Sequence, residues 1–286
     1  MAGREAWEFR KMHGLGNDYL FLDAFERPDD LPPPDVVRAA SDRHCGIGSD
    51  GVIALLPSRV ADLRMRIWNA DASEAEMCGN GLRCIVKLAY EGGRVPRNQA
   101  SCRVETGAGV LEVWPVWQGE RVVACREEMG RPRLLWGEGG SERMVAWRRP
   151  GEAVERRSGA TAVSMGNPHL VLFADDEGDG PDVLTDGPVL ERHPLFPERV
   201  NVGFARRIGP ADVRLAVWER GSGATRACGT GAAACLAAGV ATGRLPTRAR
   251  IALPGGTLVA EWPDREGSIY LTGPAESVGL CRFEPT

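Results

Sequence analysis

The sequence predicts an α+β fold: two homologous, pseudo-symmetric domains, each a mixed β-sheet rolled around one central buried helix, with an active site in the interdomain cleft. Three observations predict it. The chain repeats itself at an offset of 150 residues, each copy holds one helix-like run with almost no polar face, and strand-like segments surround each run.

The repeat is an ordered series. Gly16-Asn17 matches Gly166-Asn167, and Leu20 and Leu22 match Leu170 and Leu172. Ala61-Asp62-x-Arg64-x-x-x-Trp68 matches Ala211-Asp212-x-Arg214-x-x-x-Trp218, and Cys78-Gly79-x-Gly81 matches Cys228-Gly229-x-Gly231. Gly93-Arg94-x-Pro96 matches Gly243-Arg244-x-Pro246, and after a two-residue slip Trp114-Pro115 matches Trp262-Pro263. An ordered series through most of both halves is the mark of duplication.

Within each copy the elements follow in order. Residues 62–68 and 212–218 alternate charged and apolar side chains, the pattern of a half-buried strand, with Arg64 and Arg214 solvated and Trp68 and Trp218 in the core. A polar, turn-prone stretch of nine residues starts at Asn69 and at Glu219. The cysteine and its glycines come next, then the helical runs 82–90 and 232–241. A helix with no polar face has to be covered on all sides, and a sheet wrapped around it meets that need. Gly92-Gly93 and Gly243 stand where glycine ends a helix. Segments 104–113 and 258–262 read as strands.

Composition narrows the function. The chain has 286 residues, 43% hydrophobic and 26% charged, with a formal net charge of -4, the make-up of an ordinary globular protein. The basic residues are scattered, so no nucleic-acid face is expected. The longest apolar stretch, 232–241, is far shorter than the roughly 20 residues a membrane helix needs. No signal-peptide core is visible at residues 1–11, and a cytoplasmic protein is expected. None of the eight cysteines forms a Cys-x-x-Cys pair and no His-x-x-x-His occurs, so no metal site is expected. Cys45, Cys84, Cys102, Cys125, Cys235 and Cys281 read as inert buried residues, and His13, His44 and His193 as structural.

Cys78 and Cys228 differ from the other six because each sits, twice over, where a glycine-rich turn enters a buried helix. A helix N-terminus offers free N–H groups and the positive end of a dipole. That lowers a thiol from its usual pKa of about 8.5. It also lets the N–H groups of Gly79, Asn80, Gly229 and Thr230 hold a carboxylate. A thiol beside a carboxylate site, made twice, suits inversion of a carbon centre: one thiolate removes a proton and the opposite thiol returns one. The carbanion would be stabilised by the helix-end donors. The only lysines are Lys11 and Lys87, neither in a pyridoxal-phosphate context, and no cofactor is expected.

At these segments the chain resembles a known family. Asn69-Ala-Asp-Ala-Ser-Glu-Ala-Glu-Met-Cys78-Gly-Asn-Gly-Leu-Arg-Cys84 and Glu219-Arg-Gly-Ser-Gly-Ala-Thr-Arg-Ala-Cys228-Gly-Thr-Gly are similar to the two active-site motifs of diaminopimelate epimerase. Segments around Asn17, Asp50, Asn167-Pro168-His169 and Asn201 are similar too, in the family's order. The resemblance implies cofactor-independent interconversion of LL- and meso-2,6-diaminopimelate, on the route to lysine and peptidoglycan precursors, with Cys78 and Cys228 as the acid–base pair. It implies that Gly79, Asn80, Gly81, Gly229 and Thr230 hold the carboxylate at the reacting centre. Asn17, Asn69, Asn167, Asn201, Glu219 and Arg220 would hold the rest, and His169 and Glu219 would tune the thiols. It further implies a homodimer, and a last strand, 276–286, that returns to the first domain (1–128), leaving 129–275 as the second.

The repeat places Glu219-Arg220 opposite Asn69-Ala70, an asymmetry of charge suited to a substrate with a second charged end. Two departures from the family are Gly51, where some members have glutamine, and Ala224, where many have glutamate. The alternative function is a same-fold racemase of proline, hydroxyproline or histidine; Glu219-Arg220 and Met77-Cys-Gly-Asn80 argue against it. A thiol–disulfide oxidoreductase would need adjacent cysteines, and a binding protein with a vestigial thiol pair would incorporate no solvent deuterium into its ligand.

Overall fold

The computed structural model describes residues 6–137, 142–174 and 180–285. The chain divides into two compact units, Met1–Glu127 with Gly273–Thr286, and Glu128–Thr272. Four helices are described, α1 (Pro34–Ser41), α2 (Gly79–Glu91), α3 (Gly187–Glu191) and α4 (Gly229–Ala241); most of the other described residues lie in strands and the turns and loops that join them, an α+β fold.

In the first unit the paired strands run Glu276–Phe283, Trp7–Gly14, Asn17–Asp23, Gly51–Leu56, Leu63–Asn69, Cys102–Thr106, Gly109–Gln118, Arg121–Gly130. In the second they run Arg143–Trp147, Arg156–Ser164, Pro168–Ala174, Asn201–Gly209, Asp212–Glu219, Arg248–Leu253, Gly256–Glu261, Ile269–Pro274. The order of parallel and antiparallel neighbours is the same in both, and so is the register where it matters: Leu20 pairs with Val52, and Leu170 with Val202. One position differs in its source. Beside Arg156–Ser164 lies a strand that precedes it in the chain, Arg143–Trp147, whereas the matching place beside Trp7–Gly14 is taken by the C-terminal strand Glu276–Phe283.

Each sheet packs on its helix. α2 lies against Trp7–Gly14, Asn17–Asp23, Gly51–Leu56 and Gly109–Gln118, and α4 against six strands of the second unit. The helical core residues Leu82, Ile85, Val86 and Ala89 are buried with Ile53, Met65, Ile67, Val104 and Val113. Each fully buried aliphatic side chain of this kind contributes about 1.5–3 kcal/mol. In α4 the run from Ala232 to Ala238 is fully buried, and its small side chains let the strands close tightly around it. A Cβ at Gly239 would stand 2.5 Å from Leu245 Cδ1, so that turn requires glycine. α1 packs on the other face of its sheet, in a cluster with Leu20, Val52, Ala54 and Leu56. Trp68 and Trp218 are half-buried residues that pack on the edges of the cores. Arg64 and Arg214 are exposed, as the alternation requires.

Three expectations need correction. The polar stretches after Asn69 and Glu219 are not simple turns: Glu74–Ala75 and Gly223–Thr225 fold back as short strands on Ile67-Trp68 and on Val217–Glu219. Segment 104–113 is a hairpin, not one strand, because the chain reverses through Gly107 and Ala108 before Gly109, whose φ is +117°. The first helix is not covered by apolar groups alone. It buries Arg83 and Lys87, and each charge is matched: Arg83 pairs with buried Glu127, and Lys87 with Glu91 at 2.8 Å and with the carbonyl of Val122. Breaking a buried pair of this kind costs more than the pair contributes, about 3–5 kcal/mol, since it strands a charge in the core.

Candidate active site

Cys78 and Cys228 are the N-cap residues of α2 and α4, two helices of 13 residues each. Their backbones match, φ/ψ −144/117° and −135/108°, an extended entry that points the side chain back over the first helical turn. Each sulfur accepts the N–H of the third residue on, Gly81 or Gly231, at 3.4 Å. The helical ladder begins with Leu82 N–H to the Cys78 carbonyl and Ala232 N–H to the Cys228 carbonyl. The N–H groups of residues 79, 80, 229 and 230 therefore stand at the open helix ends. The approach is close at both glycines: a Cβ at Gly81 would be 2.4 Å from Ile53 Cδ1, which would have to move, and one at Gly231 3.1 Å from Val217 Cγ2.

Around Cys78 the structure gathers Asn17, Tyr19 and Asn80. The Cys78 thiol donates to Asn17 Oδ1 at 3.3 Å, and Asn80 Nδ2 donates to the same oxygen at 3.2 Å. Asn17 Nδ2 donates in turn to Asp50 Oδ2 at 2.6 Å. Asp50 is ion-paired with Arg43 at 2.7 Å, and Arg43 also holds Asp18, which pairs with Lys11 at 3.0 Å. Beneath the helix end, Arg83 donates to Asn80 Oδ1 and pairs with Glu127, whose carboxylate is so close that a Cβ at Gly79 would lie 3.3 Å from both its oxygens. Asn69 is apart from this group; its amide donates to Ser73 Oγ at 2.9 Å within its own turn.

Around Cys228 the partners are different in kind. Thr230 Oγ1 lies 3.6 Å from the sulfur, Asn167 Nδ2 lies 3.5 Å from Thr230 Oγ1, and His169 Nε2 is 3.0 Å from Asn167 Oδ1. Glu219, which accepts the Thr225 hydroxyl at 2.5 Å, is close enough to act on the sulfur electrostatically. Asn201 donates to the Pro168 carbonyl and accepts the Arg220 N–H, both at 3.0 Å. The Arg220 side chain is exposed and donates to the Glu198 carbonyl at 3.1 Å. The repeat reappears in three dimensions: Asn17–Asn80 in one unit matches Asn167–Thr230 in the other.

The electrostatics overturn one expectation. The helix-end N–H groups favour both thiolates, but burial outweighs them. It pushes Cys78 up, and it pushes Cys228 up to about 12, with the nearby Glu219 carboxylate adding to the rise. His169 is pushed down to about 4 by burial and by the Arg220 charge, so it is neutral near pH 7 and reaches Cys228 only through Asn167 and Thr230. Among the other cysteines, Cys84, Cys102, Cys125 and Cys235 are buried as expected, whereas Cys45 is exposed and Cys281 half-buried. Residue type alone predicts a core position for both, but Cys45 lies in a turn and Cys281 on the C-terminal rim strand.

Sequence reasoning missed Tyr19, Asp50, Arg83 and Glu127. Asp50 and Arg83 lay inside the quoted motifs, and a charge within an apolar helical run was the available signal for Arg83. A Cβ at Gly51, whose φ is +154°, would lie 2.0 Å from the Trp68 carbonyl oxygen, so a glutamine at this position demands a different backbone. Ala224 is exposed in its short strand.

The family model described as diaminopimelate epimerase matches residues 9–135 and 161–278. The chain belongs to the diaminopimelate epimerase family. It is thus an epimerase, an isomerase by class. A diaminopimelate epimerase of Desulforudis audaxviator is 47% identical over 281 residues, covering 95% of this chain and 97% of its own. One of Pelotomaculum thermopropionicum is 45% identical over 280 residues, covering 94% and 96%. Two solved structures share the fold. A PhzF-family phenazine biosynthesis protein of Bacillus anthracis has a TM-score of 0.69 at 14% identity, covering 99% of this chain and 100% of its own. A hydroxyproline epimerase of Agrobacterium vitis, with bound trans-4-hydroxy-L-proline, has a TM-score of 0.64 at 18% identity, covering 99% and 94%. Diaminopimelate epimerases are thus similar to this chain in sequence over nearly its full length, while these two solved structures are similar to it in fold.

Proposed function

We propose that the protein interconverts LL- and meso-2,6-diaminopimelate without a cofactor, Cys78 and Cys228 exchanging protons with opposite faces of one Cα in the biosynthesis of lysine and peptidoglycan precursors. The observation that carries this reading is the pair of N-cap cysteines with matched backbone, matched sulfur bonds and open helix ends. One thiolate takes the Cα proton and becomes a thiol. The electron pair left on Cα is delocalised into the substrate carboxylate, and the other thiol returns its proton to the opposite face and becomes a thiolate. In this reading Gly79, Asn80, Gly81, Gly229 and Thr230 hold that carboxylate as charge builds on it, the N–H groups of residues 79, 80, 229 and 230 donating and Gly81 keeping its N–H on the Cys78 sulfur. Asn17, Asn69, Asn167 and Asn201 bind the remaining polar groups, Arg220 the distal carboxylate, and Glu219 an ammonium.

Glu219 gives binding a role in the chemistry. Its carboxylate raises the Cys228 thiol. A substrate ammonium paired with Glu219 offsets that repulsion, so that substrate binding itself favours the thiolate. The lysines support a reaction without a Schiff base, since Lys11 is held by Asp18 and the Gly48 carbonyl, and Lys87 by Glu91 and the Val122 carbonyl. The test is turnover of LL-diaminopimelate in D2O by enzyme dialysed exhaustively against a chelator. Inversion with one solvent deuterium entering at Cα is the expected result. Inversion without deuterium, or activity that returns only with a metal or an aldehyde cofactor, refutes the reading. Faster turnover of proline, hydroxyproline or histidine would transfer it to the racemase alternative.

The same reading includes a small-molecule substrate, a cytoplasmic enzyme and a homodimer. Among the described residues, no helix is long and apolar enough to cross a membrane. The C-terminal rim strand exposes Val278 and Leu280 on one face. Its sequence, Glu276-Ser-Val-Gly-Leu-Cys-Arg282, is self-complementary when run antiparallel about Gly279: Glu276 meets Arg282, and Val278 meets Leu280, of a second copy. Leu280→Glu is expected to shift the enzyme to monomer in sedimentation; an unchanged dimer places the interface elsewhere, and a monomeric parent enzyme removes the proposal.

A further inference from the structure

The two thiols have neighbours that differ in one respect: whether their hydrogen-bond direction can reverse. Asn17 and Asn80 each carry an amide with a donor end and an acceptor end. Asn17 is anchored by Asp50 at 2.6 Å, and Asp50 is a carboxylate ion-paired with Arg43. A carboxylate only accepts, so Asn17 must turn its NH2 towards it and its carbonyl oxygen towards Cys78 and Asn80. Asn80 is anchored by Arg83, a guanidinium that only donates, so Asn80 must turn its oxygen to Arg83 and its NH2 to Asn17. Each anchor is itself neutralised, Asp50 by Arg43 and Arg83 by Glu127. The amide pair is thereby held in one orientation from both ends, and a carbonyl oxygen faces the Cys78 sulfur.

None of this recurs around Cys228. At the repeat offset of 150 residues, Asp50 corresponds to Val200, Arg83 to Ala233 and Asn80 to Thr230. The Thr230 hydroxyl rotates, and Asn167 faces neutral His169, a ring that accepts or donates by changing tautomer. Those three neighbours serve thiol and thiolate alike; on this side it is the Glu219 carboxylate that favours the thiol.

We propose that Asp50 and Arg83 are positioning residues that lock the Asn17–Asn80 amide pair with its carbonyl towards Cys78, so that the lock favours the protonated form of this thiol. A carbonyl oxygen accepts from S–H and repels S−. Burial favours the thiol as well, and the lock adds its bias to that of the other groups that face Cys78. The Tyr19 hydroxyl, the Gly81 N–H and the Arg83 charge favour the thiolate, and Glu127 and neighbouring Cys84 disfavour it. The significance of the lock for catalysis rests on the two-thiol reading above; the lock itself does not.

The test measures alkylation of Cys78 by iodoacetamide against pH in a Cys228→Ser background, resolved by peptide mapping, with thermal melting to verify folding. Asn17→Ser replaces the fixed acceptor with a rotating hydroxyl and changes no charge. Asp50→Asn frees the Asn17 amide to turn. Both are expected to lower the Cys78 alkylation midpoint by about one pH unit, which is about tenfold faster labelling at a fixed pH below it. Asp18→Asn is the control: it removes a carboxylate from the same Arg43 but leaves the Asn17–Asp50 bond, and is expected to leave the midpoint within a few tenths of a unit. A midpoint unmoved or raised in Asn17→Ser overturns the lock even if Asp50→Asn fails to fold. An equal shift in Asp18→Asn and Asp50→Asn assigns the effect to charge and also overturns it. Cys78→Ala that still inverts substrate would refute the two-thiol reading instead, a separate outcome of a separate measurement.

Discussion

Alanine at Cys78 or at Cys228 is expected to lower inversion of diaminopimelate by about 10²–10⁴-fold, the contribution of a positioned acid or base. Each helix cap supplies one proton carrier: Asn17, Asn80 and Thr230 do not ionise, burial keeps the Tyr19 hydroxyl protonated, a carboxylate such as Glu219 is a far weaker base than a thiolate, and His169 is neutral and reaches Cys228 only through Asn167 and Thr230. Serine variants separate the two faces. A serine hydroxyl relays a proton but is far harder to ionise than a thiol, so each serine variant retains one competent base. Cys78→Ser and Cys228→Ser should therefore prefer opposite configurations in exchange of the substrate Cα proton with solvent. Stereospecific exchange followed by NMR on separate LL and meso substrates measures this. The same preference in both variants, or an alanine variant that inverts at the parent rate, is incompatible with one carrier on each face.

Arg220→Ala is expected to reduce kcat/KM for diaminopimelate by at least about thirtyfold, because loss of a hydrogen-bonded charge partner costs roughly 2–5 kcal/mol and each 1.4 kcal/mol is about tenfold. The structure sharpens the expectation. The Arg220 backbone is fixed by Asn201, while its guanidinium reaches only the Glu198 carbonyl and forms no ion pair among the described residues. A fork-shaped cation held at its base with its planar end unpaired suits a distal carboxylate. The variant should also lose discrimination against an analogue that lacks the distal carboxylate, as competition kinetics with the two substrates would show. Near-normal kcat/KM with diaminopimelate means the distal carboxylate is held elsewhere.

Much of the molecule was legible in the sequence for a definite reason. Helix caps, glycine turns and alternating strands depend on neighbours close in the chain, and duplication states each of them twice. Strands 63–69 and 212–219, helices 79–91 and 229–241, and the two N-cap cysteines are all local statements of this sort. The match between Asn17–Asn80 and Asn167–Thr230 was implicit in the offset of 150, although the bonds were not.

What the sequence alone determined, then, is the duplicated α+β architecture and the placing of one thiol at each helix entrance, because helical and strand periodicities and N-cap chemistry are set by residues within a few positions of one another. The tertiary structure decided the charge state around those thiols. Arg83 meets Glu127 across 44 positions, Asn17 meets Asp50 across 33 and Cys78 across 61, and no periodicity encodes such meetings. It also decided the direction in which the thiols titrate. The sequence shows the helix ends that favour a thiolate, but burial opposes them and prevails, and burial exists only once the sheet has closed around the helix.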